Sequence, residues 1–254
     1  DFLKQTPSVV SGSLEKENIK GDLTFNNVTF HYPENGIKAL DKVSFSLRSG
    51  ETLGILGKIG SGKSSLLELI PRLYDPNEGS IKLDGINLKE FTHNSLRSAI
   101  AYVPQNPFLF SESIEKNIRF GNQNASLEQI QEAAKNADVA KNIEGFNKGY
   151  QTLLGERGVT LSGGQIQRVS IARAFIKEAQ ILLLDDCLSA VDTETEETIL
   201  KNLEKMAANK TTLIVSHRIS SIKNADKIIV LENGKIIEQG NHADLVNKQG
   251  YYTD

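Results

Sequence analysis

The chain has 254 residues, with 29 lysines and arginines against 32 aspartates and glutamates, for a formal net charge of -3. Hydrophobic residues make up 39% and charged residues 24%, ordinary for a globular protein long enough to bury a full core. The slightly acidic balance excludes the basic field of a general nucleic-acid binder, and a single cysteine, Cys187, excludes an intrachain disulfide and fits a reducing compartment. Residues 1–20 are polar, lack a sustained period and read as a linker or arm. No apolar run approaches the roughly 18–20 residues that span a bilayer, and nothing at the start reads as a signal peptide. The first residue is Asp1, not Met, so the chain is expected to be a piece of something longer.

From Gly21 the pattern changes. Residues 23–30 alternate and are rich in β formers, 43–47 repeat the pattern, and 52–56 form a short apolar strand. A helix follows over residues 65–70 and is stopped by Pro71. Residues 81–83 and 100–103 read as strands. Between about 105 and 160 the character turns helical, with a capping box of Ser126 and Gln129 ahead of a face made by Ile130, Ala133, Ala134 and Ala137. Residues 181–184 are a buried parallel strand by their unbroken apolar run, and 193–205 a helix capped by Asp192. The acidic cluster of Glu194, Glu196 and Glu197 reads as a solvated face near that helix's N-terminus. Residues 211–215 are another buried strand, 228–231 and 235–238 a hairpin around Asn233-Gly234, and 242–247 a short last helix. Strands alternating with helices imply a largely parallel sheet covered on both faces.

Three segments carry chemistry. Gly57-Lys58-Ile59-Gly60-Ser61-Gly62-Lys63-Ser64 fits G-x-x-x-x-G-K-[ST] between a strand and a helix. Glycines at those points let the backbone turn its N–H groups on phosphate oxygens, and the helix start adds positive potential. Lys63 can reach β- and γ-phosphates, and the Ser64 hydroxyl can bind Mg²⁺. Asp185-Asp186 ends a parallel strand, at the edge where α/β sheets bind ligands, so Asp185 suits metal contact. Leu161-Ser162-Gly163-Gly164-Gln165 opens a helix over 166–175. By spacing alone that stretch is either an ordinary N-cap or a second anion site.

The motifs together resemble the ATP-binding cassette (ABC) ATPases. The phosphate loop, Gln105, LSGGQ, Leu182-Leu183-Leu184-Asp185, Ser189-Ala190-Val191-Asp192 and Ser216-His217-Arg218 occur in that family's order. The resemblance covers residue 21 to the C-terminus. It implies an α/β fold: a P-loop NTPase, RecA-like core with an antiparallel β subdomain and a helical subdomain inserted at about 87–160. It also implies ATP and Mg²⁺ as ligands, with residues 57–64 and Ser65 on ATP, Tyr32 stacking on adenine, and Ser64, Gln105 and Asp185 at the metal. His217 matches the switch histidine beside the γ-phosphate. Ser162, Gly163, Gly164 and Gln165 match the signature that faces ATP held by a second cassette, and Asp192 lies in the dimer-forming D-loop.

Leu109-Phe110-Ser111, Asn117-Ile118 and Gly155-Glu156-Arg157-Gly158 are similar to the exporter branch, the last to its X-loop. The expected partners are a membrane domain of the same polypeptide, joined through residues 1–20, and a second cassette, with no nucleic acid. The expected place is the cytoplasmic face of the cell membrane.

One residue departs from the pattern. The family carries glutamate directly after the metal-binding aspartate, as the general base; here it is Asp186. A side chain one carbon bond shorter, roughly 1.5 Å, is expected to slow hydrolysis at this chain's own site while sparing binding. That points to the degenerate half of a heterodimer, with a homodimer as the simpler alternative. Alternatives for the function are a chiefly regulatory ATP-binding module and an importer's ATPase subunit.

Overall fold

A computed structural model describes residues 8–155, 158, 160–206 and 209–253. In chain order they form β1 (Leu23–His31), β2 (Lys38–Leu47), β3 (Thr52–Gly57), α1 (Lys63–Leu69), β4 (Glu78–Leu83), β5 (Ile86–Asn87), α2 (His93–Ser98), β6 (Ile100–Val103), α3 (Ile114–Arg119), α4 (Leu127–Asn136), α5 (Ala140–Glu144), α6 (Gly163–Phe175), β7 (Ile181–Asp185), α7 (Thr193–Met206), β8 (Thr211–Val215), β9 (Lys227–Glu232), β10 (Lys235–Gly240) and α8 (His242–Lys248).

The alternating strands β1 and β2 pair antiparallel, and Phe25 stacks on its cross-strand partner Phe45 at 4.5 Å. With β4 and β5 they make a four-stranded sheet in the order β2-β1-β4-β5. The second sheet runs β10-β9-β3-β8-β7-β6, parallel except for β10. Its β7 is apolar from Ile181 to Leu184 because both faces are covered. Ile181 and Leu183 enter one core with β1, β2 and α1, while Leu182 and Leu184 enter the other with α3, α4 and α6. The β9–β10 hairpin turns through Asn233 and Gly234, both at positive φ (50° and 77°), as a tight two-residue turn requires.

Helix α4 begins with the capping box seen in the sequence: Ser126 Oγ accepts from Gln129 N at 3.3 Å, and Gln129 Oε1 from Ser126 N at 2.8 Å. Ile130, Ala133, Ala134 and Ala137 are buried against α3, α6 and α7. The short helices α2, α3 and α5 carry too few turns for a periodic pattern, and the sequence reading does not resolve them. Residues 8–20 form no helix or strand, yet they lie on the fold. Gly12 and Leu14 donate backbone N–H groups to Phe91 and Glu90, and Arg72 donates to the Val10 carbonyl. No helix of the described residues is long and apolar enough to cross a membrane.

The acidic cluster on α7 needs a correction. Glu194 and Glu197 are exposed, but Glu196 is only 2% exposed. It stands three and seven residues before the buried Ile199 and Leu203, on the helix's inward stripe. Its carboxylate is paired with Arg218 and Ser221.

Candidate nucleotide site

The parallel register brings the chemistry to one edge. In β8, which lies between β3 and β7, Val215 is level with both Ile55 and Asp185, so the phosphate loop, Asp185-Asp186 and Ser216-His217 leave the sheet together. The loop after β3 is curled tightly. Gly57 and Gly62 have φ of 155° and 101°, and an added Cβ would come within 2.4 Å of the Leu231 carbonyl oxygen at the first and 2.3 Å of the Ala39 carbonyl oxygen at the second. Lys63 is buried and spans this loop from below, its Nζ donating to the carbonyls of Gly57 (2.7 Å) and Lys58 (2.8 Å). Burial pulls the ammonium below its ordinary pKa, against the opposing pull of Asp186 and Asp185. The Ser61 hydroxyl is buried with no hydrogen-bond partner among the described residues. Ile59 is 92% exposed at the tip, and the Lys58 ammonium lies 5.3 Å over the Tyr251 ring.

Ser64 Oγ, in the first turn of α1, donates to Asp185 Oδ1 at 3.1 Å, and Tyr102 of β6 donates its hydroxyl to Oδ2 at 3.4 Å. Burial raises the Asp185 pKa despite those bonds. Beyond it, Asp186 adopts a left-handed backbone (φ 45°), uncommon for a residue other than glycine but tolerated best by Asp and Asn. Gln105 Nε2 donates to Asp186 Oδ2 at 3.3 Å. A cavity of about 60 Å³ is lined by Asp186, Cys187, Glu196, His217 and Arg218. His217 is exposed at its mouth, and Cys187 is fully enclosed, its thiol pushed up in pKa by burial.

Tyr32 is half-buried in an aromatic cluster, 5.0 Å from Phe30 and 5.4 Å from Tyr74 between centroids. Its hydroxyl bonds with Ser65 (2.8 Å) and Glu68 (3.1 Å), which ties the ring to α1. Ser65 therefore faces Tyr32. The LSGGQ segment also forms a capping box: Ser162 Oγ accepts from Gln165 N at 3.3 Å, and Gln165 Oε1 from Ser162 N at 2.9 Å. Gly164 packs on the Ala190 carbonyl and Gln167 accepts from Ala190 N, so α6 leans on the segment leading to Asp192. Asp192 caps α7 by accepting from Thr195 N at 2.9 Å. No hydrogen bond among the described residues joins the LSGGQ segment to this chain's own phosphate loop. Glu156 and Arg157 lie outside the described residues.

The sequence reading gives no role at the site to four residues next to it: Tyr102, Glu68, Glu196 and Arg218. Arg218 enters it only as part of the Ser216-His217-Arg218 motif, and Glu196 has the spacing that puts it on the buried stripe of α7.

A family model described as ABC transporter matches residues 40–189. The chain belongs to the ABC transporter family. A putative multidrug export ATP-binding/permease protein of Bacillus subtilis is 45% identical over 240 residues, 94% of this chain and 41% of that protein. An ATP-dependent lipid A-core flippase of Hahella chejuensis is 45% identical over 242 residues, 95% of this chain and 41% of that protein. A solved bacterial Atm1-family ABC exporter with ATP bound superposes with a TM-score of 0.92 at 39% identity, over 99% of this chain and 44% of that one. The cassette thus spans less than half the length of these relatives, and its fold, a P-loop core with an antiparallel β sheet and added helices, is theirs.

Proposed function

We propose that this chain binds and hydrolyses ATP as the cassette of an exporter, and that two cassettes close head to tail around two nucleotides. The observation that carries the reading is the convergence of Lys63, Ser64, Gln105, Asp185 and Asp186 at one sheet edge, held together by direct hydrogen bonds or by charge. In this reading the loop's N–H groups and Lys63 bind phosphate oxygens, and Tyr32 presents a π-face to the base. The donor set fits Mg²⁺: hard oxygens from Ser64 and Asp185 with the Gln105 amide close by, and no group of three His, Cys, Asp or Glu side chains among the described residues to supply a dedicated cage. When bound, Mg²⁺ neutralises charge on the phosphates. Asp186 polarises the attacking water, Gln105 orients the Asp186 carboxylate, and His217 faces the γ-phosphate across the shared cavity.

Relatives more than twice the matched length, named as a multidrug export ATP-binding/permease protein and a lipid A-core flippase, support a membrane domain in the same polypeptide; in this reading the cassette lies on the cytoplasmic face of that membrane. Exposed Phe108 and Phe120, joined by Arg173 and close in sequence to Gln105, suit that domain's docking surface. The shortened base favours a second reading as well: a cassette that mainly holds ATP, whose LSGGQ segment completes a faster site on a different partner.

Titration with a fluorescent ATP analogue tests the core of the proposal. Lys63→Ala is expected to weaken binding about 10- to 100-fold, as loss of a charge-assisted contact should. Unchanged affinity would overturn the phosphate-binding role.

A further inference from the structure

The Glu196 carboxylate is buried, paired with Arg218 and unused by the site as described. A buried ion pair is weak evidence for stability, since apolar residues of the same shape often serve as well. What the carboxylate holds is specific. One oxygen accepts from Arg218 Nη1 and the other from Ser221 Oγ. Ser221 Oγ in turn accepts from Ser216 Oγ at 3.1 Å, and Ser216 Oγ from the backbone N–H of Arg218 at 2.9 Å. The relay thus grips the residues on either side of His217 and ends on an acceptor that cannot donate. His217 itself is exposed, and with Glu196 and Asp186 it lines one small cavity.

We infer that Glu196 is a positioning residue for His217: from the first turns of α7 it fixes the turn after β8, and so fixes where the imidazole stands relative to Asp186. The inference rests on the reading of His217 given above. Glutamine at this position keeps the shape but carries one NH₂ group, so either the Arg218 bond is lost or the Ser221–Ser216 hydroxyls must reverse their direction of donation.

The test is a double-mutant cycle on single-turnover ATP hydrolysis by this chain, with Glu196→Gln, His217→Ala and the pair. Glu196→Gln is expected to slow hydrolysis about 10-fold alone and less than about 2-fold in the His217→Ala background, with ATP affinity kept. Equal slowing in both backgrounds, or no slowing, overturns the inference. A His217→Ala chain as fast as wild type retracts the reading of His217 itself, and the inference with it. A second readout needs no turnover. The chain has four histidines. In imidazole NMR spectra Glu196→Gln should shift or broaden His217 and leave His31 and His242 in place. An unmoved His217 signal overturns the proposal. Should Glu196→Gln fail to fold, Ser221→Ala leaves the Arg218 pair intact and carries the same expectations at about 3-fold.

Discussion

Asp186→Glu is expected to speed single-turnover ATP hydrolysis about 100-fold. The aspartate carboxylate falls short of a glutamate's reach by about one carbon–carbon bond, ~1.5 Å. The backbone cannot move forward to make up the gap. Asp186 N donates to the Val215 carbonyl at 3.0 Å, and its own carbonyl accepts from Ser189 N at 3.3 Å and Ser189 Oγ at 2.8 Å. The shortfall therefore stands in full, and a misplacement of about 1 Å costs on the order of 10²-fold, or about 2.7 kcal/mol of barrier. The left-handed backbone at φ 45° suits Glu less well than Asp, at about 1 kcal/mol. That strain lowers the stability of the fold and leaves the barrier untouched. The assay follows phosphate release from labelled ATP with protein in excess, so that product release and partner exchange do not limit the rate. Asp186→Asn serves as the control and should run at least about 10-fold below wild type, because it removes the remaining base. If Asp186→Glu binds ATP as wild type does and hydrolyses it no faster, the short-base argument is refuted.

Two other predictions concern residues outside that step. The Asp84 side chain is 7% exposed and accepts from the N–H groups of Lys20, Gly21 and Asp22 and from Lys16 Nζ. Burial alone would raise its pKa, but these donors outweigh it and hold the carboxyl below its ordinary value. The stabilisation is therefore complete above the unfolded pKa of about 3.9 and is lost as pH falls through the lower folded value. Asp84→Ala should cost about 3 kcal/mol in urea unfolding at pH 7, and the gap from wild type should narrow towards pH 3; a gap independent of pH would count against the charge. For Tyr32, Ala should weaken binding of a fluorescent ATP analogue by about 1–3 kcal/mol, while Phe, which keeps the ring and loses the bonds to Ser65 and Glu68, should stay within about 3-fold of wild type. Equal losses for Ala and Phe would assign the effect to the hydroxyl and not to stacking.

The phosphate loop, the strand ending in Asp185 and the Asn233-Gly234 hairpin were legible because local rules set them: glycines where the backbone closes on carbonyls, an unbroken apolar run, a turn that demands positive φ. The same holds for the capping box at Ser126. At Ser162 the identical spacing leaves an N-cap and an anion site both open, and the structure shows the cap as a full box with Gln165. What the sequence hid is tertiary. Tyr32 meets Glu68, Tyr102 meets Asp185 and Arg72 meets Val10 through contacts between elements, with no periodicity to announce them. Glu196 is the intermediate case: its charge argued for solvent, its spacing with Ile199 and Leu203 argued for the interior, and the helix period prevailed.

The box at Ser162 also sorts polarity. Ser162 Oγ accepts from Gln165 N, which leaves its own proton free to point outward, and Gln165 spends its carbonyl on Ser162 N, which leaves its NH₂ group free. Gly163 and Gly164 occupy the first turn of α6, where backbone N–H groups have no partner within the helix. The outer end of the helix thereby commits one lone pair of each side-chain oxygen and presents more free donors than acceptors. A surface of that kind favours an incoming oxygen, and it owes this bias to the pair of side chains that also holds the helix closed.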